Sequence, residues 1–537
     1  MVRVRFLGLL LFCLLMTLVL AQDEAAVEVA SISLTPGACS GSFVAHTLDH
    51  STTVPGGSVV RMFEANGGGV GLGDLDNDGD LDIVLANHAG PNSILWNEGG
   101  LQFRKEALGE GEARAVTLVE LDADGRLDIV FSRRVSAPNF WRNEGDGVFA
   151  LELLPGVAKP LYALNWADLD ADGDLDLVGA SYDAALLTEF GQEFLESGKA
   201  GVYVSRNDGG KFVETRLADG AQALALAVTD LNEDGRPDVW VGNDFAVPDG
   251  VFMNTPGGWQ ATDSFATTTH STMSLDTGDL DNDGAAEVFA TDMHPYPQES
   301  EAPWAVLMDM MMETPAAGDP QIMANVLQKK QGDTFSNEAP QRGLAGTGWS
   351  WSAKFGDLDQ DGFLDLYVVN GMMESTTFAA LPNHELVEQN QVFRNDGAGY
   401  FVSETNWGLG STLSGRGMSM GDLDGDGDLD IVVNNLRGAA QLFENKLCGG
   451  GSLQVDLLRP TSENTLALGT LATLYTDKGV YRRDVRALSG YLSGDPSRLH
   501  FGFLKDDVLE RLELRWPDGK VSVVDSPPPG LLKVERR

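Results

Sequence analysis

The apolar positions of this chain fall into one long run and many short ones. The long run covers residues 6–20, follows Arg3 and Arg5, and ends at Val19, Leu20 and Ala21. A basic start, an apolar centre and a small residue before the cut are the layout of a secretory signal peptide, here residues 1–21. The run is short for a membrane span, and no later segment is apolar enough to be one. Elsewhere, short apolar runs come in pairs that flank an acidic turn. Gly- and Ala-rich runs such as "GGGVGLG" and "SWSAKFG" precede the turn. Runs rich in β-branched residues follow it, namely "DIVLAN", "DIVFSR", "DLVGAS", "DVWVGN", "EVFATD", "DLYVVN" and "DIVVNN". Both flanks read as strands. A third strand ends in Asn, Asp and Gly, as in "SILWNEGG" and "QVFRNDGAG", which is hairpin chemistry. A fourth opens on Phe103, Phe149, Phe212 or Phe401. Each unit is therefore expected to be a four-stranded meander.

The acidic turns begin at Asp74, Glu120, Asp168, Asp230, Asp279, Asp357 and Asp422, at intervals of 46, 48, 62, 49, 78 and 65 residues. Spacing in the forties with insertions is that of propeller blades. The expected fold is all-β: a seven-bladed β-propeller over residues 22–449, with a small C-terminal β domain over 450–537. The longest interval carries an insertion over residues 293–330. Its methionines Met308, Met310, Met311 and Met312, with His294 nearby, read as an apolar helix capping the ring in preference to a copper site. The last unit lacks a fourth strand, and "GSFVAHTL" from Gly41 resembles "GKFVETRL" from Gly210. Residues 41–48 are thus expected to close the last blade. That closure brings Cys39 and Cys448 together, and a disulfide between them is expected in an oxidising compartment.

Numbered from its first acid, each turn carries oxygen at positions 1, 3, 5 and 9, Leu at position 2 and Gly at position 6. The oxygen sets are Asp74, Asp76, Asp78 and Asp82; Glu120, Asp122, Asp124 and Asp128; Asp168, Asp170, Asp172 and Asp176; Asp230, Asn232, Asp234 and Asp238; Asp279, Asp281, Asp283 and Glu287; Asp357, Asp359, Asp361 and Asp365; and Asp422, Asp424, Asp426 and Asp430. Position 7 is Asp80, Arg126, Asp174, Arg236, Ala285, Phe363 or Asp428, so a backbone carbonyl is the expected contribution there. Several carboxylates and a carbonyl on a Gly-turned loop suit Ca²⁺, a hard ion that takes six to eight oxygens. Up to seven Ca²⁺ sites are expected. An EF-hand is excluded, because the flanks are strands and the twelfth position of the first loop is Leu85 in place of Glu.

Asp-x-Asp-x-Asp-Gly-x-x-Asp loops between propeller strands resemble FG-GAP/VCBS repeats, the type found in integrin α-chains, across about residues 40–447. The resemblance implies Ca²⁺ ligation by positions 1, 3, 5 and 9 and the carbonyl of position 7. The tail resembles the ASPIC/UnbV family over residues 464–524, through Asn464, Leu468-Gly469, "SGYLSGD", "LHFGF" and "LELRWPDG". The combination is similar to the cartilage acidic protein family, which implies secretion and Ca²⁺ binding and no established catalysis.

Charge sharpens the picture. Residues 22–449 hold 22 basic and 68 acidic side chains, whereas residues 450–537 hold 13 and 12. The acidic body excludes nucleic acid as a partner. In the tail, Arg482, Arg483, Arg486, Arg511 and Arg515 are expected to be solvated or to pair with the acidic body. "GMSMG" from Gly417 has the spacing of a nucleophile elbow but runs into an acidic loop, which is the wrong context. The expected function is a secreted Ca²⁺-binding module for adhesion or scaffolding that engages an extracellular or cell-surface protein or glycan. The alternative is an exported polysaccharide-acting enzyme, lyase or hydrolase, on the same scaffold.

Overall fold

The computed structural model describes residues 25–55, 59–245, 247–296, 304, 318–332 and 334–537. The signal-peptide segment 1–21 and the methionines Met308, Met310, Met311 and Met312 lie outside the described residues. The chain is mostly β. Each acidic loop joins the first two strands of a four-stranded antiparallel meander. The inner strands are Val70–Gly73, Ala113–Val119, Ala163–Ala167, Ala223–Thr229, Leu275–Gly278, Gly348–Gly356 and Gly415–Gly421. They pack side by side in chain order, and Gly415–Gly421 packs back against Val70–Gly73, a β-propeller-like arrangement. Second strands such as Asp82–Leu85 and Asp430–Asn435 are buried along their whole length. Both of their faces are covered by neighbouring sheets, which explains why their sequences are continuous apolar runs and do not alternate. Among the described residues no helix is long and apolar enough to cross a membrane.

The sheet after the last acidic loop takes its outer strand from the N-terminal segment. Val44–Ser51 pairs antiparallel with Ala439–Glu444, with Val44 opposite Glu444 and Thr47 opposite Gln441. A disulfide joins Cys39 to Cys448 beside this junction, with 5.6 Å between Cα atoms and a sequence separation of 409. Closing so long a loop restricts the unfolded chain, so the double variant Cys39→Ser/Cys448→Ser is expected to lose roughly 2–5 kcal/mol. Urea unfolding followed by tryptophan fluorescence measures this; an unchanged midpoint would mean that the strand pairing alone holds the junction.

The tail forms two further four-stranded sheets. Leu471–Thr476, Val480–Asp484, Leu509–Arg515 and Val521–Asp525 make one. Gly451–Leu458, Leu499–Phe503 and Gly530–Arg536 make the other, whose fourth strand is Val27–Ile32, paired antiparallel with Gly530–Arg536. Residues 27–32, grouped by sequence with residues 22–449, therefore pair with the tail. The pairing covers an edge that Gly530–Arg536 would otherwise leave open. One apolar cluster runs through both parts, from Trp166, Tyr203 and Phe212 to Leu453, Phe501 and Trp516.

Candidate functional site

The acidic loops share one hydrogen-bonded frame. The position-1 carboxylate accepts from the backbone N–H groups of positions 5 and 6: Asp78 and Gly79 donate to Asp74 at 3.1 and 3.0 Å, and Asp361 and Gly362 donate to Asp357, both at 3.0 Å. The position-9 carboxylate ties two strands together. Asp82 accepts from Leu75 N–H at 3.0 Å and from Asn97 N–H at 2.8 Å. Asp430 does the same with Leu423 at 2.9 Å and Asn445 at 2.8 Å. The Gly at position 6 has positive φ in every loop, from 81° at Gly125 to 106° at Gly79, a conformation that side chains resist.

Those third-strand Asn residues, which sequence alone reads as hairpin chemistry, also latch neighbouring sheets. Five of these side chains donate to the carbonyl of a position-2 Leu in a neighbouring sheet. Asn143 reaches Leu75 at 2.8 Å, Asn254 reaches Leu169 at 2.7 Å, Asn395 reaches Leu280 at 2.8 Å and Asn445 reaches Leu358 at 2.8 Å. Asn97 reaches Leu423 at 2.8 Å, which joins the first sheet to the last. The signal for this role was present in the sequence as an Asn at a fixed place after every second strand but one, where Lys330 stands.

The oxygens left over point to a cation. In the loops that begin at Asp74, Glu120, Asp168, Asp279 and Asp357, three acidic side chains each bring one oxygen within 4.8 Å of the others. Oδ1 atoms of Asp168, Asp174, Asp279, Asp359 and Asp428 are buried without a hydrogen-bond partner. Burial pushes Asp82, Asp128 and Asp176 up to about 7, and Asp74 and Asp168 up to about 6. Crowded, desolvated carboxylates with orphaned oxygens fit a hard divalent ion, which supplies the missing partner and charge. The residues that would hold it are positions 1, 3, 5 and 9. At position 7, Arg126 and Arg236 turn their guanidinium groups onto Asp124 and Asp234 and donate through Nε to the carbonyls of Asn143 and Asn254. The loop at Asp279 departs from this frame: Lys329 and Arg342 lie against its carboxylates. Burial would raise Asp281, but its bonds to these two cations outweigh that and hold it below the usual range.

The tail covers the acidic face. Thr465 donates to Glu120 at 2.6 Å, Gln454 to Asp422 at 2.6 Å, Ser462 to the Gly173 carbonyl at 2.6 Å and Arg498 to the Gly79 carbonyl at 3.2 Å. Of the tail arginines, Arg486 pairs with Asp276 at 2.7 Å, Arg483 approaches Asp357 at 4.0 Å and Arg482 bonds the Gly284 carbonyl. Arg511 stays within the tail, 4.0 Å over the Tyr475 ring. Between tail and loops lies a cavity of about 1260 Å³, lined by Asp168, Asp230, Asp279, Arg482, Arg486 and His500 among others.

Residues 487–496 of the tail enter the axis of the sheets. Ser493–Gly494 bridges the inner strands Val70–Gly73 and Ala113–Val119. Leu492 C=O accepts from Val116 at 3.1 Å, Gly490 N–H donates to Leu275 at 2.8 Å, and Tyr491 N–H donates to Ser352 at 3.2 Å. Tyr491 is fully buried, packs 5.3 Å from Trp351 and donates to the Asn66 carbonyl at 2.9 Å. Glycine is required opposite this plug: a Cβ on Gly69 would lie 1.7 Å from the Leu492 oxygen, and one on Gly417 2.6 Å from Ser493 Oγ. Ser419, the centre of "GMSMG", is buried and donates to the Gly494 carbonyl at 2.8 Å, so its hydroxyl holds the plug.

At the other ends of the strands an aromatic group forms. Phe63 meets Tyr182 edge-on at 5.5 Å, and Tyr182 stacks on Phe245 at 6.3 Å. Phe245, from "GNDFAVPDG", is 36% exposed with φ of 59°, and Met62 beside Phe63 is 46% exposed. His294, weighed above as a copper ligand, bonds the Met323 carbonyl through Nδ1 at 2.9 Å.

A chain of repeated meanders, acidic loops on one face and a β tail over them corresponds to two families. Residues 74–131, 120–179 and 378–433 match the FG-GAP-like repeat, and residues 460–532 match ASPIC and UnbV. The protein therefore carries FG-GAP-like repeats followed by an ASPIC/UnbV domain. It is similar to cartilage acidic protein 1: 35% identical to the Xenopus tropicalis protein over 137 residues and 29% identical to the Homo sapiens protein over 171 residues. These stretches cover 24% and 31% of this chain, and only 21% and 24% of the relatives' own lengths. A Bacillus licheniformis rhamnogalacturonan lyase overlays at a TM-score of 0.37 with 11% identity, across 76% of each chain, too loose a likeness to carry an argument.

Proposed function

We propose that this protein is an exported, seven-bladed β-propeller held together by Ca²⁺, and that it serves as a binding or scaffold module for an extracellular or cell-surface protein or glycan. The observation that carries this reading is the division of labour between the two faces. The acidic face and the axis are taken up by the tail through committed ion pairs: its Arg486 to Asp276, its Arg498 to its own Asp456 at 2.8 Å, and its Asp495 to Lys354 of an inner strand. The opposite face presents Phe245 and Met62 to solvent. Exposed apolar side chains set on a rigid scaffold are what a recognition surface uses. The disulfide between Cys39 and Cys448 supports an oxidising destination. The enzymatic alternative needs uncommitted Lys, Arg or His around one cavity, and in the large cavity Lys354, Arg482 and Arg486 are engaged in contacts between tail and sheets.

The test is retention of the purified mature chain on a glycan array and on immobilised cell-surface protein, in Ca²⁺ and in chelator. Ca²⁺-dependent retention is expected, weakened about tenfold or more by Met62→Ala/Phe245→Ala at an unchanged melting temperature. Turnover of a polysaccharide panel by the same preparation would overturn the binding-module reading.

A further inference from the structure

We propose that the loop beginning at Asp279 takes no metal ion, because the ammonium group of Lys329 occupies the cation position. This rests on the Ca²⁺ reading of the other loops. Lys329 Nζ lies 2.6 Å from Asp281 Oδ2, 3.0 Å from Asp283 Oδ2 and 2.8 Å from Glu287 Oε1. Those are positions 3, 5 and 9, so the three ammonium protons are spent on three of the side chains that would grip an ion. Arg342, on the short helix Ala339–Arg342, supports Lys329 from behind. Its Nη2 reaches the same two oxygens, Asp281 Oδ2 at 2.9 Å and Glu287 Oε1 at 3.3 Å, and its Nε is fixed by Glu338 at 2.9 Å. Both cations are largely shielded from solvent, with side chains 20% and 6% exposed. A divalent ion would have to expel an ammonium group or sit beside two positive charges in a poorly solvated place.

The cause lies in strand register. Val288 stands opposite Gln328, which puts Glu287 opposite Lys329 on the third strand Val326–Gln331. Register places Trp96, Arg142, Arg206, Met253, Arg394 and Glu444 at the same position in the other sheets. Arg142 turns away to Glu152 at 2.9 Å, and Arg206 approaches Asp170 only to 3.8 Å. The next residue, Asn in the other sheets, is Lys330 here, and it pairs with Glu233 at 3.3 Å. The sheet that carries the insertion over residues 293–330 thus has its own cation and does not depend on a dissolved one.

Bound Ca²⁺ per chain, measured by equilibrium dialysis and atomic emission on the full mature protein, tests this. Asp78→Asn is expected to lower the count by about one ion and Asp283→Asn to leave it unchanged. A loss of one ion in Asp283→Asn overturns the proposal. If Asp78→Asn also changes nothing, the Ca²⁺ reading of the first loop has failed, and a second measurement stands apart from it. In chelator, Lys329→Met is expected to melt below the parent protein, since the loop then keeps only Arg342, which reaches two of its carboxylates and leaves Asp283 unpaired. Equal melting in chelator overturns the proposal as well.

Discussion

Removal of divalent ions at neutral pH is expected to lower the melting temperature by roughly 10 °C or more, and acidification of the stripped protein toward pH 5 to recover part of the loss. The cause is the buried carboxylate at position 9. Asp82, Asp128 and Asp176 sit at about 7 through burial, against 3.8 for an ordinary Asp. Without an ion, holding one such group ionised at neutral pH costs roughly 4 kcal/mol. Because its folded value is raised, the folded state binds protons more tightly than the unfolded chain. In the metal-free protein this contribution is fully present below about pH 4, falls as pH rises, and is lost above about pH 7. The ion-loaded protein should slope the other way, since protons compete with Ca²⁺ for the same oxygens. Calorimetric melts at several pH values, with Ca²⁺ and with chelator, measure both slopes. Parallel slopes, or a melt that ignores the chelator, would rule out cations as the partners of these loops.

The parts of this molecule that were legible in its sequence are those written locally and repeatedly. Position-6 glycines such as Gly79 and Gly362 need left-handed backbone wherever the loop occurs, so the loop announces itself. The strand around Val44 was visible because it repeats an outer strand seen elsewhere, and its partner Ala439–Glu444 lacked one. The pairing of Val27–Ile32 with Gly530–Arg536 was not legible, because nothing local in either strand names the other. Lys329 was hidden for a related reason. The 78-residue interval around the insertion obscured which residue faces Glu287, and only the register of the strands decides it. The plug was the least legible of all. "SGYLSGD" carries the resemblance to the ASPIC/UnbV family but names no partner, and its fit depends on Gly69 and Gly417, separated from it by long stretches of chain. "GMSMG" carries small residues because a second backbone passes there; nucleophile chemistry does not explain them.

That fit makes the plug the most sensitive joint between the tail and the sheets that carry the acidic loops. Tyr491→Ala should destabilise the protein by roughly 3–5 kcal/mol, the range for emptying a large buried aromatic site. The side chain is fully buried against Trp351, and its hydroxyl, which meets the Asn66 carbonyl and Tyr162 at 2.9 and 3.2 Å, has no solvent to replace those partners. Tyr491→Phe keeps the ring and should lose only about 1–2 kcal/mol from the broken bonds. Gly69→Ala should exceed both, since its methyl group would meet the backbone oxygen of Leu492, which no side-chain rotation can move aside. The three variants should also differ in kind. Arg486 and Thr465 can hold the tail on the acidic face after the plug has left, so Gly69→Ala and Tyr491→Ala should split one unfolding transition into two, the tail melting first. Tyr491→Phe should keep a single transition. Urea unfolding read at once by far-ultraviolet circular dichroism and by tryptophan fluorescence distinguishes these outcomes. A single transition at the parent midpoint for Tyr491→Ala would mean that the shared apolar cluster and the surface contacts couple the two parts without the plug, which then fills the axis without holding it.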